Sequence, residues 1–108
     1  MATETAVPVT AENFHKLPRG SQLLIAYALF NDVWQVQLLR TDRDMLALLN
    51  CGWLVAKPSG AHGFVNGVFE DSIWTAFETI EGTILGGVTD AEMERFVARK
   101  GKEYPWLW

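Results

Sequence analysis

The stretch VWQVQLLRTDRDMLALLNCGWLVAKPSGAHGFVNGVF, residues 33–69, decides the fold. Its opening alternates: Trp34, Val36 and Leu38 fall on one face, Gln35 and Gln37 on the other, which is the period of a half-buried strand. Thr41 followed by Asp42 and Asp44 is a helix start, an N-cap hydroxyl with acid in the first turn. The helix it opens, about 42–51, carries Met45, Leu48 and Leu49 on one side, and Gly52 stops it. Then Trp53–Lys57 and Gly63–Phe69 form two strands around Pro58-Ser59-Gly60-Ala61-His62, a hairpin with a long tip. Asn66-Gly67 is an alternative tight turn within the same stretch.

Working outward, residues 1–9 are small and polar and predict a loose arm. Thr10 caps a short turn through Phe14 and Leu17, and Pro18 suits the first turn of a helix over 18–31. Leu23, Leu24, Ile25, Tyr27, Leu29 and Phe30 surround that helix with apolar side chains, so it is expected to be the central buried one. On the other side, Asp71 caps a helix over 72–81 with Ile73, Phe77 and Ile80 inward, and Gly82, Gly86 and Gly87 interrupt. Thr89 and Glu92 form a capping box for a last helix over 90–100, which buries Met93, Phe96 and Val97. Gly101 is expected to end it before the aromatic tail Tyr104-Pro105-Trp106-Leu107-Trp108.

The order helix–strand–helix–hairpin–helix over 18–81 resembles the winged helix fold. The step Leu46 to Leu54 looks like the junction of recognition helix, glycine and first wing strand, and Asp71-Ser72-Ile73-Trp74 looks like the helix after the wing. The expected class is therefore α+β, a winged-helix-like core with an additional C-terminal helix and tail over 89–108. Leu49, Gly52, Trp53 and Leu54, with Asp71, Ile73 and Trp74 downstream, are also similar to the cytoplasmic segment of phage superinfection-exclusion proteins. That resemblance implies a phage or prophage product that acts by binding a protein, as an anti-defence (for example anti-CRISPR) or superinfection-exclusion inhibitor.

At 108 residues and 49% hydrophobic, the chain is expected to form one domain over 1–108, with no linker or repeat. The longest apolar run, Leu23 to Phe30, has eight residues, far short of the roughly 18–20 that cross a bilayer, so no membrane partner is expected. The start, Met1-Ala2-Thr3-Glu4-Thr5, has no signal-peptide pattern, and a lone Cys51 makes no internal disulfide. Both fit a cytoplasmic protein.

Charge is uneven. Residues 1–69 are neutral, 70–94 hold seven carboxylates and no Lys or Arg, and Arg95, Arg99, Lys100 and Lys102 against Glu103 return +3. Acid on a surface faces either solvent or a basic partner. A winged helix that reads DNA needs Lys and Arg along the recognition helix and wing. Here Asp42, Arg43 and Asp44 leave that helix acidic and the wing tip offers Lys57 and His62, so DNA is the less favoured partner. Under that alternative, a transcriptional regulator would bind nucleic acid through Arg43, Asn50, Lys57, Arg95, Arg99, Lys100 and Lys102. Cys51 with His15 or His62 is a weak thiol–base pairing, two distant histidines and one cysteine make no metal site, and no cofactor motif is present. No enzymatic activity is expected. The residues left for a protein partner are Glu78 and Glu81 on one helix face and the tail residues Tyr104, Trp106, Leu107 and Trp108. The tail either folds back over Trp34 or Trp53, or anchors an interface, most simply a homodimer.

Overall fold

A computed structural model describes residues 7–105 and 108; Trp106, Leu107 and residues 1–6 of the expected arm lie outside the described residues. The class is mixed α+β. In chain order the elements are α1 (Ala11–His15), α2 (Arg19–Asn31), β1 (Gln35–Leu39), α3 (Arg43–Cys51), β2 (Val55–Pro58), β3 (Phe64–Val68), α4 (Asp71–Thr79), α5 (Glu81–Gly86) and α6 (Asp90–Glu103). The three strands form one antiparallel sheet in the order β1-β3-β2. Gln35 pairs with Val68 and Leu39 with Phe64 on one side of β3, while Val55 pairs with Val68 on the other. The hairpin is therefore as expected, and Asn66 and Gly67 lie inside β3 rather than at a turn.

Local chemistry accounts for most boundaries. The Thr10 hydroxyl accepts the Asn13 amide and caps α1. The left-handed Gly52, at φ 81°, closes α3 and turns the chain into the hairpin. The cap of α3 is Asp42 rather than Thr41: its Oδ1 accepts the Met45 amide at 3.1 Å. Residues 7–9 of the expected loose arm are held, since the Val7 amide donates to the Cys51 carbonyl and the Trp53 indole donates to the Val7 carbonyl at 2.6 Å.

Four expectations about the helices and first strand need correction. The helix over 72–81 is two helices, broken at Ile80, so Glu78 ends one and Glu81 opens the next rather than sharing a face. At the break the Thr79 hydroxyl donates back to the Ala76 carbonyl, a local bond that competes with helix propagation. The glycines at 82 and 86 are helical in α5 instead of interrupting. The last helix runs through Gly101 to Glu103, for a reason that belongs to the site below. Finally, Trp34 is 57% exposed, not inward with Val36 and Leu38, because it precedes β1 in the connection that leaves α2 through the left-handed Asp32.

Helix α2 does run through the centre, with Leu24, Ile25, Ala26 and Ala28 fully buried. Around it one core gathers Leu38, Met45, Leu48, Trp53, Phe69, Phe77, Ile84 and Phe96. Phe77 is the link between α4 and the sheet layer, its ring edge-on to Phe69 at 5.4 Å and to Trp53 at 5.8 Å between centroids. Truncating it leaves a cavity that neighbouring rings cannot fill. Phe77→Ala is expected to lower stability by about 3–5 kcal/mol in urea unfolding, with the slope unchanged.

Candidate functional site

Of the basic stripe expected near the C-terminus, Lys100 turns inward while Arg95 and Lys102 stay exposed. Lys100 is 1% exposed, and its Nζ lies 2.6 Å from Asp42 Oδ2 and 2.8 Å from Asp44 Oδ2. Both carboxylates belong to the first turn of α3, where the helix dipole already favours negative charge. Arg99 Nη2 adds a longer contact to Asp44 at 3.3 Å, and the Ser21 hydroxyl donates to the Asp44 carbonyl. Two carboxylates are thereby met by two cations. A buried ammonium with fewer partners would be strongly unfavourable.

Tyr104 completes the cluster. Its ring is buried, edge-on to Phe64; its hydroxyl donates to Asp42 Oδ2 at 2.7 Å, and the phenolic oxygen itself accepts the Leu39 amide at 3.1 Å. Lys100 and Tyr104 are four residues apart and share Asp42, so α6 has to continue through Gly101 to bring both to one carboxylate. Leu39 is at the free edge of the sheet: Arg40 and Trp34 bond toward β3, which turns the Leu39 amide outward. Tyr104 closes that end of the edge. The close approach also dictates Gly20 in α2, since a Cβ there would collide with the Asp44 carboxylate.

Burial alone would raise the Asp42 pKa, but the Lys100 ammonium, the Tyr104 hydroxyl and the Met45 amide outweigh it and hold the carboxyl below its ordinary value. Tyr104 moves the other way, its phenol pushed up by burial and then by the neighbouring Asp42. A groove of about 570 Å3 opens beside the cluster. Asp42, Asp44 and Glu103 in its lining face Arg43, Arg99 and Lys100, so its charges balance and it offers neither anion nor cation a net attraction.

Of the residues expected to meet nucleic acid, Arg43, Asn50, Lys57, Arg95 and Lys102 are exposed, Arg99 is half-exposed and bound to Asp44, and Lys100 is inside. Cations do come close to α3, but at its acidic end, where they are neutralised. Of the residues expected to meet a protein, Glu78 and Glu81 are exposed on separate helices. Tyr104 is taken up by the core, and Trp108 is half-buried against Tyr27 at 4.5 Å and Phe96 at 6.1 Å between centroids. Tyr104 and Trp108 thus fold back, though over Tyr27, Phe64 and Phe96 rather than Trp34 or Trp53, while Trp106 and Leu107 lie outside the described residues. The Cys51 thiol bonds the Leu48 carbonyl, neither histidine is its partner, and burial raises its pKa, which keeps it protonated. Among the described residues no group of three or more His, Cys, Asp or Glu is arranged to hold a metal ion, and no helix is long and apolar enough to cross a membrane.

The open face lies elsewhere. Phe30, in the last turn of α2, is 71% exposed, and it borders a groove of about 350 Å3 lined by Ala26, Leu85, Val88 and Met93, with Asp90 and Glu94 at the rim. Arg19 holds the groove's helices in place at one end: its guanidinium grips Glu92 with both oxygens, at 2.8 Å from Nε to Oε2, and donates to the Gly87 carbonyl. Sequence reasoning placed Phe30 in the core and so missed this face. The available signal was that same all-round apolar pattern: a helix covered by a few helices has more apolar positions than they can reach.

Two shifted groups inside the cluster, Asp42 and Tyr104, give it a pH dependence. A carboxyl with a depressed folded pKa adds stability above its unfolded pKa and loses it as pH falls through the folded one; a phenol with a raised pKa loses stability as pH rises past its unfolded value. Stability should therefore fall below about pH 4 and again above about pH 10. In urea unfolding across pH, Asp42→Asn should flatten the acid limb and Tyr104→Phe the alkaline limb.

Compared with known protein families, curated proteins and solved structures, the chain matches none.

Proposed function

We propose that the chain is a protein-binding module, a winged-helix-like core that has left nucleic-acid reading and acts by occupying a partner's surface. The observation that carries this is Phe30, a large aromatic left 71% exposed beside an apolar groove. Exposed aromatics next to apolar clefts are where protein interfaces concentrate their energy. The order of strands, with β3 between β1 and β2 and α3 leading into the hairpin, supports the winged-helix-like reading. The biological role that accords with it is the one implied by the likeness of Leu49, Gly52, Trp53, Leu54, Asp71, Ile73 and Trp74 to superinfection-exclusion proteins: a phage or prophage inhibitor that works sterically.

Against the DNA-reading alternative stands the fate of the cations. Affinity for duplex grows with the number of phosphates neutralised, and Lys100 and Arg99 are bound to Asp42 and Asp44 instead.

Two measurements decide between the readings. Burying a Phe contributes about 1.5–3 kcal/mol, so Phe30→Asp should weaken partner capture from host lysate at least about tenfold while leaving the circular dichroism and melting curve intact. Titration with a short DNA duplex at low salt should show no binding. Tight duplex binding that collapses as salt rises would instead support the regulator.

A further inference from the structure

We infer that the groove between α2 and α6 takes a basic amphipathic helix from the partner; this rests on the protein-binding reading and gives the partner its chemistry. The groove is walled by helices, with α5 and Val88 closing one end and Ala26 and Met93 within it. Helix walls have spent their backbone groups on their own ladders, so they offer none to an incoming strand. An extended peptide would bury unpaired N–H and C=O groups against apolar side chains, whereas a helix arrives with its own satisfied. Apolar residues one turn apart on such a helix would meet Phe30, Met93 and Leu85.

The rim sets the sign of the charge. Asp90 and Glu94 are both exposed, one turn apart on α6, and neither has an ion-pair partner among the described residues. Of the seven carboxylates between Glu70 and Glu94, Glu92 alone is ion-paired among the described residues, to Arg19. Lys and Arg flanking the apolar stripe of the incoming helix would meet uncompensated acid on this side. A second copy of the chain is a poor occupant. Its basic helical segment is the end of α6, whose apolar residues Phe96 and Val97 already pack into its own core, so it has no apolar stripe to offer.

The test uses the full chain, labelled with nitrogen-15, and synthetic helical peptides of about 15 residues. One peptide carries Leu on one face and Lys elsewhere, a second replaces each Lys by Glu, and a third scrambles the first. The Lys peptide should bind with amide shifts centred on residues 26–30 and 85–94, at least about tenfold tighter than the other two. Asp90→Asn combined with Glu94→Gln should remove that preference, and Phe30→Asp should remove the binding. Equal binding of the Glu or scrambled peptide, shifts centred elsewhere, or no binding of the Lys peptide would overturn the inference. So would a dimer in sedimentation that Phe30→Asp dissociates, which would assign the groove to a second copy. If Phe30→Asp abolishes partner capture while the Lys peptide fails to bind, the basic-helix inference falls and the protein-binding reading stands.

Discussion

A buried ammonium has to be answered by negative charge, and Lys100 is answered by Asp42 and Asp44 from the opening turn of α3. That one requirement organises the C-terminal third of the molecule. It keeps α6 helical past Gly101, so that Tyr104 can reach the same carboxylate and take the outward amide of Leu39. It forbids a side chain at Gly20. It also takes Lys100 from the surface and engages the half-exposed Arg99, two cations that a reader of polyanions would need, and so ties the stability of the fold to the kind of partner the surface can meet.

The parts of this fold legible in the sequence are those written in local chemistry. The alternation from Val36 to Leu38, the apolar spacing of Met45 and Leu48, the stop at Gly52 and the cap at Thr89 each act within a few residues, and each element stands where that chemistry puts it. What was not legible depends on partners distant in the chain. Asp42 looked like generic first-turn acid after a Thr41 cap; only the arrival of Lys100 from 58 positions away makes it the cap and the counterion at once. Glu92 likewise fitted a capping box, yet its carboxylate goes to Arg19, 73 positions away. A charge run read along the sequence therefore counted Lys100, a buried counterion, among the exposed cations of a basic stripe.

The candidate site was less legible than the fold. The aromatic tail, dense in Trp and Tyr, reads as cover or as anchor, and of its described residues Tyr104 and Trp108 fold back onto α2, α6 and the sheet. Phe30 looked like core because it sits in the most apolar helix of the chain, but the last turn of α2 runs beyond its cover. Apolar patterning tells which side chains favour burial and not which ones the surrounding layers reach. The acidic segment over 70–94 keeps its meaning in three dimensions: with Glu92 alone ion-paired among the described residues, it lends a negative rim to the groove that Phe30 borders.

The central claim is that Asp42 and Lys100 act as one unit holding α6 to the start of α3. The most direct measurement is a double-mutant cycle with Asp42→Asn and Lys100→Met, read by urea unfolding at neutral pH. The account predicts that the double variant is more stable than the sum of the single losses implies, by roughly 1–3 kcal/mol, because Lys100→Met strands the buried Asp42 carboxylate and Asp42→Asn leaves Lys100 with Asp44 as its one close counterion. Losses that add to within about 0.5 kcal/mol would contradict it.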